Sequence, residues 1–292
     1  MTQFKEVRTT VNTYLELCKF KVVLLMMLSA ATGMIMTDKA ELLTGIISLL
    51  GISLLSCSGG ALNQLLDQKI DSQMSRTKNR PLPKGSISSM HAMLFILAMI
   101  ISGIICLIYT TNILTISLTL FAMFGYSFIY TLGLKHLTPQ NIVIGGITGA
   151  MPPLLGWCAV TNSISYQPLL LVLLIYTWTP PHFWALAIAK KDDYAKSQIP
   201  MLPVTHGIKF TKRCILAYIF ITAALAILPF ALNISGLVYF TVAVLLNIRY
   251  IYLGILLYKD PSNKCAMQNF LFSISYLMVL FAGILIDKVI QW

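Results

Sequence analysis

The chain of 292 residues is 57% hydrophobic and 11% charged, with a mean hydropathy of +0.80, which excludes a soluble globular domain. Its net charge of +11 would suit nucleic acid in a soluble protein. Here the Lys and Arg residues fall between apolar runs, where anionic lipid and membrane topology account for them and no nucleic acid is implied.

Residues 1–21 are polar and mixed, with a patch at 15–20 suited to the membrane interface and no cleavable signal pattern, so insertion by internal spans is expected. Nine apolar runs follow, at about 22–36, 42–62, 91–109, 113–132, 141–161, 168–189, 214–233, 237–258 and 266–287. Each is near the ~20 residues with which a helix crosses the bilayer. The predicted fold is an all-α integral membrane protein. One domain over 1–292 forms a bundle of nine transmembrane helices around a central cavity open to the cytoplasmic side. Gly145-Gly146, Pro152-Pro153, Pro180-Pro181 and Pro229 lie inside spans and predict kinks and close helix contact. Assigning charges to loops puts 18 of the 21 Lys and Arg, including Lys5 and Arg8, on one face. The positive-inside rule makes that face cytoplasmic, with the N-terminus inside and the C-terminus outside. The six cysteines stand singly, without metal-ligand spacing, and read as packing residues.

Directly after the second run comes Asn63-Gln-Leu-Leu-Asp67-Gln-Lys-Ile-Asp71. Read as one helix, it stacks an amide and two carboxylates on one face, a turn apart. Such a face suits Mg²⁺, which takes one or two carboxylates together with phosphate oxygens and retained waters. Arg76, Lys78, Arg80 and Lys84 follow at once and suit the phosphates themselves. The bland alternative is a solvated loop whose basic residues only set topology.

A second loop, four spans later and so on the same face, carries Lys190-Lys191-Asp192-Asp193-Tyr194 and then Pro200 and Pro203. It repeats the acidic, Pro-bounded character of the first loop. A faint parallel duplication would bring both over one cavity, with Asp192 or Asp193 offering a second metal ligand. Adjacent residues on a helix diverge by about 100°, so one of the two is expected to face the first site; the alternative is pairing with Lys190, Lys191 or Lys196. Lys135, following Tyr126 and Tyr130, is the only formal charge in the 105 residues between Lys84 and Lys190. With Asn141 nearby, it is a candidate contact for a diphosphate or a carboxylate; the alternative is a cation that snorkels from a helix end. His182, after Pro180-Pro181, is an ionisable group within a span and therefore a functional candidate, either as an iron ligand or as a packed, hydrogen-bonded residue.

The Asn63, Asp67, Asp71 motif after the second of nine spans resembles the UbiA-type intramembrane prenyltransferase superfamily. Within it, the blocks at 71–83, 145–157 and 193–203 resemble the branch that farnesylates haem. The adjacent Asp192-Asp193 replaces the second D-x-x-x-D of many superfamily members. The resemblance implies transfer of a farnesyl group from farnesyl diphosphate to a vinyl group of haem B, with water completing the hydroxyethylfarnesyl substituent. It implies Mg²⁺ on Asn63, Asp67, Asp71 and either Asp192 or Asp193, and charge neutralisation by Arg76, Lys78, Arg80 and Lys135; Tyr130, Asn141 and His182 are the candidate substrate contacts beside them. It also implies the cell inner membrane as location, with haem A synthase or a terminal oxidase as assembly partner. The rival readings are prenylation of an aromatic quinone precursor and, from another class, secondary transport.

Overall fold

The computed structural model describes residues 2–290, with side chains from Thr10 onward; those of Lys5 and Arg8 lie outside the described residues. Apolar composition leaves the backbone no partner but itself, and the chain answers with helices throughout. Helix α1 (Thr2–Leu17) leads into α2 (Phe20–Ile35), and its 10–17 part meets α2 at 58°. The bend falls at Lys19, whose φ of 54° ends one helix and aims the next. α1 rests on the bundle through Tyr14, whose ring centroid lies 4.6 Å from that of Phe95.

The chain then runs through α3 (Leu42–Leu66), the single turn α4 (Gln68–Asp71), α5 (Ser89–Thr110) and α6 (Ile113–Phe124). α6 passes without a break into a π-helical segment, Gly125–Leu134, and ends in the turn α7 (Lys135–Leu137). The fifth span is split at Met151 into α8 (Asn141–Ala150) and α9 (Pro152–Thr161), as Pro152-Pro153 requires. α10 (Tyr166–Ala189) carries Pro180 and Pro181 inside a helix that is the most enclosed span of the bundle. Beyond it come the short α11 (Lys191–Lys196) and α12 (Leu202–Thr205), then α13 (Gly207–Ala231), α14 (Leu237–Lys259) and α15 (Cys265–Ile290). Among the described residues, eight helices are long and apolar enough to cross a membrane, and nine spans result when α1 and α2 count as one bent span. α2 alone has 16 residues, about 24 Å at 1.5 Å per residue, short of the ~30 Å hydrocarbon layer.

The helices close into a ring: α2 against α3, α3 against α5 and the π segment, the π segment against α8, α10 against α8 and α13, α14 between α13 and α15, and α15 back on α2. Large apolar side chains such as Leu42, Ile113 and Leu237 face outward, as lipid-facing groups do. At the face away from the acidic motif, α2 and α9 touch backbone to backbone. A Cβ on Gly33 would stand 1.9 Å from Pro153 O, and one on Gly156 would stand 1.8 Å from Ala30 O. Only glycine allows that approach. The buried Asp287 carboxylate accepts the backbone N–H groups of Gly236 and Tyr239 at 2.7 and 2.9 Å, so α15 caps the start of α14. Asp260 caps α15 in turn. Hydrogen bonds from the Ser262 hydroxyl first, then from the backbone N–H of Cys265 and Ser262, hold its carboxyl below the usual carboxylate range.

Candidate active site

The acidic face survives a break that the sequence does not predict. α3 stops at Leu66 and α4 starts at Gln68, leaving Asp67 between them at φ −87° and ψ 2°. A carboxylate is disfavoured at a helix C-terminus and favoured at an N-terminus. Asp67 closes the 25-residue α3 and opens the single turn α4 without a side-chain cap bond, so two opposed helix ends meet at its charge. Asp71 N–H still donates to Asp67 O at 2.8 Å, which keeps the one-turn spacing. Asn63, Asp67 and Asp71 are all buried.

Each of the two carboxylates meets a cation. Lys135 Nζ lies 2.7 Å from Asp67 Oδ2, and an Arg80 guanidinium nitrogen 2.6 Å from Asp71 Oδ2. Asn63 ties the site to the fourth span: its Nδ2 donates to Asp67 Oδ2 at 3.0 Å and to Thr131 Oγ1 at 2.9 Å. Its Oδ1 accepts from Lys19 Nζ at 2.5 Å, and Lys19 also donates to Tyr126 Oη at 2.9 Å. Thr77 Oγ1 holds the following loop by donating to Asp71 O at 2.9 Å. Three cations thus stand around two carboxylates in a largely buried cluster. Its excess positive charge suits an anion.

The π segment makes this convergence possible. In an α-helix, nine residues span two and a half turns, which would put Lys135 opposite Tyr126. With i→i+5 bonding the same nine residues make about two turns, so Tyr126, Thr131 and Lys135 share one face. Thr131 Oγ1 donates to Tyr126 O five residues back at 2.9 Å, in keeping with the wider coil. Close packing on α8 holds the segment, since a Cβ on Gly125 would meet Thr148 at 2.6 Å and one on Gly145 would meet the Tyr130 ring at 2.4 Å.

The two acidic loops meet. Ser75 Oγ donates to Asp193 Oδ2, while Asp192 is exposed and pairs with no lysine among the described residues. Below the loops, Met74, Ile142, Tyr194, Ile199 and Met201 pack together with Tyr130 at their edge. Arg76 and Lys78 are exposed and unpaired with any carboxylate among the described residues. Tyr130 stacks on Tyr126 with centroids 5.8 Å apart. Asn141 is fully buried; its Nδ2 reaches Lys135 O at 3.5 Å and its Oδ1 has no protein partner. His182 lies elsewhere, on α10 against α15, with Nδ1 2.6 Å from Ser273 Oγ.

Lys19, Thr131, Tyr126 and Ser75 are site residues that sequence reasoning missed. Lys19 counted only as a topological charge, although it stands at the edge of an apolar run as Lys135 does. No pattern points to Thr131 or Tyr126 without the π register.

The chemistry of the donors fits Mg²⁺. Among the described residues no three His, Cys, Asp or Glu side chains converge as a closed metal cluster. Mg²⁺ uses few protein ligands and completes its shell with phosphate and water, and the buried Asn63 amide oxygen and Asp67 and Asp71 carboxylates are hard oxygens of that kind. Their present partners are Lys and Arg side chains on flexible stems, able to move to an incoming anion.

Residues 22–277 match the model of the UbiA prenyltransferase family. The protoheme IX farnesyltransferase of Psychromonas ingrahamii is 48% identical over 96% of this chain and 90% of its own length. Protoheme IX farnesyltransferase 2 of Pseudoalteromonas translucida is 50% identical over 94% of this chain and 90% of its own. Among solved structures, that of digeranylgeranylglyceryl phosphate synthase superposes with a TM-score of 0.78 at 20% identity, covering 96% of this chain and 98% of the other. A UbiA homologue from Archaeoglobus fulgidus bound to DMAPP and Mg²⁺ does so with 0.65 at 17% identity, covering 93% and 99%. The last two establish the shared fold, and the sequence relatives go further: this multi-pass membrane chain belongs to the UbiA prenyltransferase family, among its protoheme IX farnesyltransferases.

Proposed function

We propose that the chain transfers a farnesyl group from farnesyl diphosphate to a vinyl carbon of haem B, forming haem O, with the Asn63, Asp67 and Asp71 face as the diphosphate site. The observation that carries this reading is the buried pair of carboxylates, each paired with a cation, on the face where the two loops meet at Ser75 and Asp193. Asn63, Asp67, Asp71 and, across the loop contact, Asp193 would hold Mg²⁺; when bound, the metal supplies positive charge to the leaving diphosphate. Lys135 and Arg80 turn from the carboxylates to diphosphate oxygens, and the exposed Arg76 and Lys78 close over it. Lys19 and Thr131 fix the Asn63 amide so that its oxygen stays oriented. Tyr130 lines the approach, and the buried Asn141 stands behind Lys135 with its amide nitrogen on the Lys135 carbonyl. No protein nucleophile is needed: the allylic C–O bond breaks, its electron pair leaves with the diphosphate, and the vinyl carbon attacks the farnesyl cation. Burial among apolar helices keeps bulk water from quenching that cation first.

The site loops are read as cytoplasmic and the membrane as the cell inner membrane, with haem A synthase or a terminal oxidase as the partner that accepts the product. Detergent-solubilised protein given farnesyl diphosphate, Mg²⁺ and either haem B or 4-hydroxybenzoate tests the assignment. Haem O should form, and EDTA should stop its formation. Prenylation of the benzoate alone would reject the haem reading.

A further inference from the structure

His182 is placed as a group that handles water rather than diphosphate. Its ring is sandwiched between Trp178, 4.4 Å away at 19°, and Phe270, 4.6 Å away at 28°, with Phe183 edge-on at 4.9 Å. This fixes the ring plane. Ser273 Oγ lies 2.6 Å from both Phe270 O and His182 Nδ1; with its single hydrogen given to Phe270 O, it accepts from His182 Nδ1–H, the tautomer assigned here. Nε2 is therefore the lone-pair nitrogen. It has no protein partner, yet it is not among the sealed polar atoms of the interior, so it remains open to the space beside it.

A second polar group stands next to this pair. Asn269, one turn before Ser273 on the same face of α15, is fully buried, and neither its amide oxygen nor its nitrogen has a protein partner. His182 stands seven residues before the end of α10 at Ala189, about 10 Å along the helix from the loop face at 1.5 Å per residue. That depth is below the diphosphate cluster, where the apolar acceptor of the farnesyl group has to lie.

We propose that His182 is the general base that adds water to the prenylated substrate, with Ser273 as its positioning residue. The proposal rests on the haem-farnesylating reading above. When farnesyl C1 bonds to the terminal vinyl carbon, the positive charge moves to the vinyl carbon attached to the porphyrin. The water oxygen bonds to that carbon, and the water's proton goes to His182 Nε2. Nδ1–H keeps its bond to Ser273, which orients the lone pair throughout. Without the base, the same cation can lose a proton from the neighbouring newly alkylated carbon, which gives an alkene lighter by one water.

The test is product analysis by mass spectrometry after incubating purified His182→Gln, Ser273→Ala and wild type with farnesyl diphosphate, Mg²⁺ and haem B in ¹⁸O-labelled water. Wild type should give the labelled hydroxylated product. In His182→Gln the ratio of hydroxylated product to alkene should fall about a hundredfold, the scale of a lost general base. Ser273→Ala, which keeps the imidazole but frees its tautomer, should shift the ratio part of the way with little change in the haem absorption spectrum. Unchanged hydroxylation in both variants overturns the proposal, as does loss of the haem spectrum with an unchanged product ratio, which would make His182 an iron ligand. Wild type that forms no haem adduct at all would overturn the parent reading instead.

Discussion

Lys19 offers the sharpest separation between a catalytic and a merely structural role. It holds φ 54°, a conformation that costs a non-glycine residue about 1–2 kcal/mol, and its ammonium joins Asn63 Oδ1 to Tyr126 Oη. Lys19→Met removes the charge and keeps the strain; Lys19→Gly removes both. A hydrogen bond from a charged donor contributes about 1.5–3 kcal/mol. If that bond orients Asn63 during turnover, either substitution lowers kcat/KM for farnesyl diphosphate by about 10- to 100-fold, at 1.4 kcal/mol per decade. KM for haem B should not move. Thermal stability should diverge, with the Gly variant unfolding at or above the temperature of the Met variant because its corner is relaxed. Steady-state assays with each substrate varied in turn, together with a melting curve in the same detergent, give all three numbers. If both variants keep kcat/KM within about twofold of wild type, Lys19 only bends the chain and the argument from its contacts is wrong.

Asp67→Ala and Asp71→Ala should each abolish haem O formation while the melting temperature stays near that of wild type; full turnover in either removes the diphosphate site from this face. Gly156→Ala forces a methyl against Ala30 O at 1.8 Å and should destabilise the α2–α9 contact by about 1–3 kcal/mol, read as a lower melting temperature. A stability equal to wild type would mean the two backbones can separate freely. Asp287→Ala strands two backbone N–H groups at the head of α14 and should cost about 2 kcal/mol or more. Activity at low temperature should be kept, since the cap lies at the opposite end of the bundle from the site, and a loss of turnover without a loss of stability would contradict that.

Much of this molecule is readable from residue order because lipid imposes simple demands. Twenty apolar residues in water-free surroundings have to be helical, so all the long helices are anticipated, as is the split at Pro152. The Asn63, Asp67 and Asp71 face is legible because three hard oxygens at four-residue spacing have one geometric meaning on a helix. What stays hidden depends on contacts between distant segments. Nothing before the folded structure shows that Lys19 crosses to Asn63, that Arg80 rests on Asp71, that Asp67 is the carboxylate Lys135 meets, or that Asp193 is taken by Ser75. The break at Asp67 also escapes a pattern search, because periodicity is the same on either side of it.

The wide coil at Gly125–Leu134 has a consequence for how this protein can change. Alignment of Tyr126, Thr131 and Lys135 depends on a count of backbone units rather than on any one side chain. Removing a single lipid-facing residue such as Ile129, itself 59% exposed, would let the stretch tighten to ordinary pitch and leave eight steps between Tyr126 and Lys135, which at 100° per residue turns the ammonium about 80° out of line. Along this stretch the spacing between residues is under tighter constraint than their identities.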